Sequence, residues 1–203
     1  MIGGTAYGAV LNDRHEIERL GSALVTAPYG RAPEAPVLYI KPRNTFRISG
    51  GTVDIPAEVR EVAVAATLVL TFGERSGAPV AVAIALDISE PHENYYRPAI
   101  RQRCRDGFLP FGDFASWSPD FADVEIVTMI DGSEAHRWSL NRLVRDPLTL
   151  ARDVSGFMTL ADGDALLVGL PGDAPLARAG QLIEISATGL APLKVQLIGE
   201  HVN

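Results

Sequence analysis

The segment Val80 to Leu86 restricts the possible folds of this chain more than any other. Val80, Val82, Ile84 and Leu86 alternate with Ala81, Ala83 and Ala85. In an extended strand successive side chains point to opposite faces, so this one presents a bulky apolar face and a small apolar face. Neither face suits water, which predicts a central strand with its large residues against one layer and its alanines against a close neighbour.

Further strand signals surround it. Val37 to Ile40 follows a Pro- and Gly-rich loop over Tyr29 to Pro36, and Thr52 to Ile55 follows the turn Gly50-Gly51. Leu68 to Phe72 precedes the central segment. Val124 to Ile130 and Ala135 to Trp138 flank Asp131-Gly132, a pair that supplies the positive φ angles of a tight hairpin. Ala165 to Val168, Leu182 to Ser186 and Val195 to Ile198 complete a final third made of strands and turns. Two short helices are predicted. One is capped by Asn12 or Asp13 and carries Ile17, Leu20 and Leu24 on one face, with Gly21 as its weak point. The other starts at Asp146-Pro147 and continues through Leu150, Val154, Phe157 and Met158. With no repeat, low-complexity tract or linker, the expected fold is β-rich α+β, a mixed β-sandwich roll in one domain over residues 1–203. Residues 1–50 would form a lid and strand segment and residues 51–203 the roll core.

A formal net charge of −7 disfavours attraction to nucleic acid or an anionic membrane. Met1 to Gly8 lacks the basic and apolar regions of a secretion signal, and no apolar run reaches the roughly 18 residues of a membrane span. Cys104 is the sole cysteine, so no internal disulfide is possible. These features predict a cytoplasmic protein.

Common catalytic signatures are absent: no G-x-S-x-G elbow, P-loop, G-x-G-x-x-G after a strand, or H-E-x-x-H. His15, His92, His136 and His201 are scattered. Cys104 sits between Arg103 and Arg105, which could lower its pKa, against the alternative of a buried structural thiol. The densest feature is Asn94 to Gly107, with Arg97, Arg101, Arg103 and Arg105. In a helix Arg97, Arg101 and Arg105 would share a face and offer guanidinium forks to the carboxylates of a small organic acid. The competing reading is a solvated stretch neutralised by Glu90, Glu93 and Asp106. Asp87, Glu90 and Glu93 together offer hard oxygen ligands for Mg²⁺, at a spacing that is common.

Gly8-Ala-Val-Leu-Asn12, Tyr39-Ile-Lys-Pro-Arg-Asn-Thr45, Asn94 to Gly107, Met158 to Asp164 and Val168-Gly-Leu-Pro171 together resemble, in order, the fumarylacetoacetate hydrolase family. Lys41 to Thr45, Tyr96-Arg-Pro-Ala-Ile100 and Cys104-Arg-Asp-Gly-Phe108 resemble in particular the N-terminal repeat, or separate subunit, of its isomerase/decarboxylase branch in homoprotocatechuate catabolism. The resemblance implies a mixed β-roll, Mg²⁺ or Mn²⁺, and a 2-oxo or enol dicarboxylic acid substrate.

It also implies where the site would lie and how it departs from the pattern. Metal in the family is held by a Glu-x-Glu strand motif and a later Asp. Here Ala65 and Thr67 stand in place of the glutamates and Asp87 alone matches, so weak or absent metal binding is expected. Arg103 matches the family's acid/base lysine but cannot act as a base. The His-x-x-Glu lid pair falls on His15 and Glu18 with one deletion, or on Glu16 and Arg19 without. Leu170 replaces a hydroxyl residue. Arg97, Arg101 and Arg103, which can anchor an anion, are the expected grips on distal carboxylates, with Lys41 and Leu170 also expected at the substrate. The connection from Gly73 to Asp87 is shorter than the family's usual one, with little room for its helix. The chain is therefore expected to be a subunit of an isomerase/decarboxylase, as a homodimer or paired with a homologous chain, or else a noncatalytic partner of such a chain.

Overall fold

The computed structural model describes residues 2–73, 77–92 and 99–199. At its centre Val62–Phe72 and Pro79–Ser89 form an antiparallel pair, both strands longer than the sequence signals suggested. The two-faced burial expected of the alternating strand is present from Val82 onward, whereas Val80 at its start is 51% exposed. Val82, Ile84, Leu86 and Ile88 enter the main core, together with Val64, Leu68 and Leu70 of the partner strand. Ala83 and Ala85 face the other way and pack with Val69, Leu109, Phe111 and Leu167. Asp87 and Ser89 continue the alanine register, so they stand on the face that small residues keep open.

Around this pair runs a mixed sheet of nine strands among the described residues. Its main order is Val37–Lys41, Ala6–Val10, Ala165–Leu167, Val62–Phe72, Pro79–Ser89, Leu109–Phe111 and Phe46–Ile48. Leu176–Ala177 and Ala115–Ser116 add short pairings on the two long strands. The second sheet orders Ser133–Ser139, Glu125–Ile130, Leu182–Ala187, Leu193–Gly199 and Thr52–Ile55. Its hairpin turns at Asp131 and Gly132 with φ of 50° and 78°, the left-handed geometry that the Asp-Gly pair predicted. The sheets share one core cluster, and Trp138 ties them by donating its indole N–H to the Ala66 carbonyl at 3.0 Å. The result is a β-rich α+β roll with few short helices.

Local differences from the sequence reading have physical causes. The first helix, Arg14–Leu20, is capped by the Asp13 side chain and ends at Gly21, whose φ of 43° is outside the helical region. A 3₁₀ turn over Gly21–Val25 nevertheless keeps Leu24 buried. The helix Pro147–Ser155 is capped by Asp146 as expected, but it stops before Phe157, which is 62% exposed. The short helix Ile100–Arg103 is too brief to align Arg97, Arg101 and Arg105, and Arg97 lies outside the described residues. Ala6–Val10 was not legible as a strand. Gly8 and Ala9 have weak strand preference, and the segment is held by ladders to Ala165–Leu167 and Val37–Lys41 on either side.

Candidate functional site

On the small face of the central pair, Asp87 is fully buried and lies across from Ala65 in the strand register. Three side chains converge on its carboxylate. Arg103 donates from Nη1 to Oδ1 at 2.9 Å, the Tyr39 hydroxyl donates to Oδ2 at 2.6 Å, and the Lys41 ammonium lies 3.3 Å from Oδ1. The Arg103 guanidinium also stacks over the Tyr39 ring, 4.8 Å from its centre. Tyr39 and Lys41 reach the same carboxylate because residues two apart on a strand share a face. Period-two spacing was the signal that could have added Tyr39 to the site.

The Lys41 ammonium is fully buried and donates to the carbonyls of Ile88 at 2.8 Å, Arg103 at 2.7 Å and Phe108 at 2.9 Å. Burial pushes its pKa down from 10.5 to about 8, against the opposing pull of Asp87. Expected at the substrate, Lys41 is instead an internal staple, because its three N–H donors are directed at backbone. The adjoining motif is held from both ends. Asn44 donates to the Cys104 carbonyl at 3.0 Å and to Asp106 at 2.6 Å, so the Lys41–Thr45 and Cys104–Phe108 segments position one another.

Beside this cluster lies a cavity of about 350 Å³, lined in part by Ala65, Ser89, His92, Arg103, Leu170 and Glu16. Arg103 reaches it although only 7% exposed, and Leu170 forms part of its wall. Glu16, 4% exposed, and Arg19 also line it, whereas His15 and Glu18 are exposed and lie outside the lining. The ungapped frame therefore puts its two residues at the cavity. His92 was not singled out by sequence; burial holds its imidazole below the ordinary histidine value.

Arg101 turns away, 73% exposed and 4.0 Å from Glu58. Arg105 pairs with Glu90 at 2.5 Å and with Glu58 at 3.2 Å, so this half of the arginine cluster follows the reading of local neutralisation by Glu90. Glu90 is thereby removed as a companion metal ligand for Asp87, and Glu93 lies outside the described residues. Cys104 donates weakly to the Ile40 carbonyl, and burial raises its pKa, outweighing the lowering by Lys41 and Arg103.

The donor set at Asp87 does not fit a divalent metal. Ala65 offers no ligand, the Thr67 hydroxyl donates to the Gly169 carbonyl at 2.6 Å, and both Asp87 oxygens are engaged by donors. No group of three or more His, Cys, Asp or Glu among the described residues could hold a metal ion. A dication about 2.1 Å from Asp87 would stand within a few ångströms of two cationic side chains. At ~4 Å and an effective dielectric of about 20, each such pair costs about 8 kcal/mol.

Gly8 makes this arrangement possible, since a Cβ there would overlap the Tyr39 ring. Gly8→Ala is expected to displace the ring from Asp87 and cost about 1–3 kcal/mol, measured by urea unfolding. Gly3→Ala, where nothing lies within 4 Å of the added carbon, should leave the midpoint unchanged.

A β-roll with this cavity on the small face of its central strands defines a class, and residues 5–198 match the family described as fumarylacetoacetate (FAA) hydrolase C-terminal. The chain belongs to that family. It is 36% identical over 206 residues to the 4-hydroxyphenylacetate degradation bifunctional isomerase/decarboxylase of Salmonella dublin, covering 97% of this chain and 48% of that protein. It is 32% identical over 207 residues to the homoprotocatechuate catabolism bifunctional isomerase/decarboxylase of Escherichia coli, covering 98% and 48%. The chain thus spans about half the length of these relatives. In structure it is similar to 5-carboxymethyl-2-hydroxymuconate delta-isomerase from Mycobacterium smegmatis, with a TM-score of 0.81, 22% identity, and coverage of 99% of this chain and 81% of that one. Fumarylpyruvate hydrolase from Pseudomonas aeruginosa, solved with Mn²⁺ and pyruvate, matches at a TM-score of 0.78 and 18% identity, over 97% and 90%.

Proposed function

We propose that this chain is the metal-lacking half of a two-chain isomerase/decarboxylase of aromatic acid catabolism. It would act with a homologous chain that carries the intact Glu-x-Glu site and holds the Mg²⁺ or Mn²⁺. The assembly would act as 5-carboxymethyl-2-oxo-hex-3-ene-1,7-dioate decarboxylase and 2-hydroxyhepta-2,4-diene-1,7-dioate isomerase. The observation that carries this reading is the engagement of Asp87 by Arg103, Tyr39 and Lys41, where the family pattern calls for a metal. A noncatalytic role, stabilising the active chain, is the second reading, favoured by Arg103: a guanidinium cannot exchange a proton near neutral pH.

The test is loss of the oxo-dicarboxylate chromophore in the presence of Mg²⁺, for this chain alone, its companion alone, and the mixture. The chain alone should be silent and the mixture faster than the companion. Turnover by the isolated chain that disappears in Asp87→Ala would overturn both readings. A mixture no faster than its companion would remove the catalytic-subunit reading, and an unchanged companion stability would remove the noncatalytic one.

A further inference from the structure

We infer that His136 is a proton-operated latch on the cavity wall: in its charged form it clamps Asp173 and tightens residues 172–174, and in its neutral form it lets them loosen. Gly172 and Ala174 both line the cavity, and the Asp173 side chain between them reaches away to the second sheet. His136, on the edge strand Ser133–Ser139, meets Asp173 Oδ1 through Nε2 at 3.1 Å. Arg142, in the 3₁₀ turn that follows this strand, donates to Oδ1 at 2.8 Å and to Oδ2 at 3.2 Å. The wall is thus tied to one strand and its turn through a single carboxylate.

A proton on His136 changes the charge balance of this tie. Asp13, Asp173 and Arg142 form a linked trio with one negative charge in excess, which a charged imidazole cancels. Although partial burial opposes it, the Arg142 guanidinium holds the Asp173 carboxyl below the usual carboxylate range, so Asp173 stays charged where imidazoles titrate. On the histidine's own strand Arg137 pairs with Glu134 and with Glu125 of the neighbouring strand. From the first helix Arg14 donates to the Leu143 carbonyl at 3.2 Å, Arg19 donates to the Gly172 carbonyl at 3.1 Å and lies 3.9 Å from Glu16, and the His15 ring is exposed. The interior suits both forms of the ring. The His136 side chain is only 10% exposed, and its Nδ1 has no hydrogen-bond partner among the described residues. Facing it in the ladder is Thr128, fully buried, whose hydroxyl has none there either. Directly opposed side chains stand on one face of a sheet, about 5 Å apart at Cβ. A hydroxyl both donates and accepts, so this one suits the lone pair of a neutral Nδ1 and the N–H of a charged ring alike. Burial therefore does not forbid the charged form, and that form makes the stronger hydrogen bond to Asp173.

The latch goes beyond the proposed function, since it needs neither companion nor substrate and is read from this chain alone. The experiment is NMR-detected exchange of the Gly172 amide, which donates to Asp13, and the Ala174 amide, which donates to the Pro171 carbonyl. It is run at about pH 5.5 and about pH 8, either side of the range in which imidazoles change charge. Protection, taken relative to the intrinsic rate at each pH, should fall about two- to fivefold at the higher pH, a modest change because Asp173 is mostly exposed. His136→Gln, which keeps a neutral N–H donor, should abolish the difference, whereas His15→Gln and His92→Gln should retain it. In the wild type the shifts of both amides should titrate with the midpoint of the His136 ring, a readout that needs no variant to fold. Equal protection at both pH values, a difference that survives in folded His136→Gln, or amide midpoints that follow His15 or His92 would each overturn the inference.

Discussion

Lys41→Met is expected to destabilise the chain by about 3–5 kcal/mol, the range for removing one partner from a buried ionic cluster. Methionine nearly matches lysine in length, so the loss is chemical rather than a large cavity. Three carbonyls lose the ammonium as a donor: Ile88 at the end of the central strand, Arg103 at the end of the short helix, and Phe108 before Leu109–Phe111, which still accepts from the Ile88 amide at 3.0 Å. Orphaning a buried acceptor costs about 1–3 kcal/mol. The opposing effect is relief of burying a charge, seen in the fall of the Lys41 pKa to about 8. The Ile88 and Arg103 acceptors, the weakened Phe108 one and Asp87 together outweigh that relief. The pH dependence follows from the sign of the shift: a folded pKa below the unfolded value means that the unfolded chain binds more protons between about 8 and 10.5. Lysine's contribution is therefore least favourable below pH 8 and improves as pH rises through that window. Urea unfolding at neutral pH and inside the window should show the gap between wild type and variant widening with pH. A variant within about 1 kcal/mol of wild type at neutral pH would refute the staple.

Much of the scaffold was legible because its signals are local. The alternation from Val80 to Leu86 specified a doubly buried strand, Asp131-Gly132 specified a hairpin, and Asp146-Pro147 specified a helix start. What escaped depended on distant partners. Ala6–Val10 is a strand because neighbours from far along the chain flank it, and Gly8 is small because a ring from the adjacent strand crosses it. The site shows the same division. Asp87 and Arg103 could be singled out by position within motifs, but their direct bond could not, and neither could the diversion of Lys41 to backbone carbonyls. Of four arginines that look alike in sequence, Arg103 lines the cavity, Arg101 and Arg105 meet outer carboxylates, and Arg97 is outside the described residues. Residue spacing does not encode that sorting, because it depends on where a four-residue helix ends.

Asp13→Ala should produce a loss of similar size and, unlike Lys41→Met, should loosen the rim of the cavity. Asp13 is fully buried and uses both oxygens. Oδ1 accepts from the His15 amide at 3.2 Å and Arg142 Nε at 3.0 Å, while Oδ2 accepts from Arg142 Nη2 at 2.5 Å and the Gly172 amide at 2.8 Å. One carboxylate thus caps the first helix, grips a guanidinium with both oxygens, and fixes the Pro171-Gly172 turn at the cavity wall. Alanine removes the cap, worth about 1 kcal/mol, and leaves Arg142 with Asp173, which is mostly exposed. The combined loss is expected near 3–5 kcal/mol in urea unfolding. Asn at this position can still cap the helix and accept from Gly172, so Asp13→Asn should lose less. Exchange of the Gly172 amide should quicken in the alanine variant more than in the asparagine one. A cycle with Arg142→Ala isolates the pair, and because the two groups touch, their coupling should exceed about 1 kcal/mol. Additive single effects would mean that Arg142 is held by Asp173 and that the rim does not depend on Asp13.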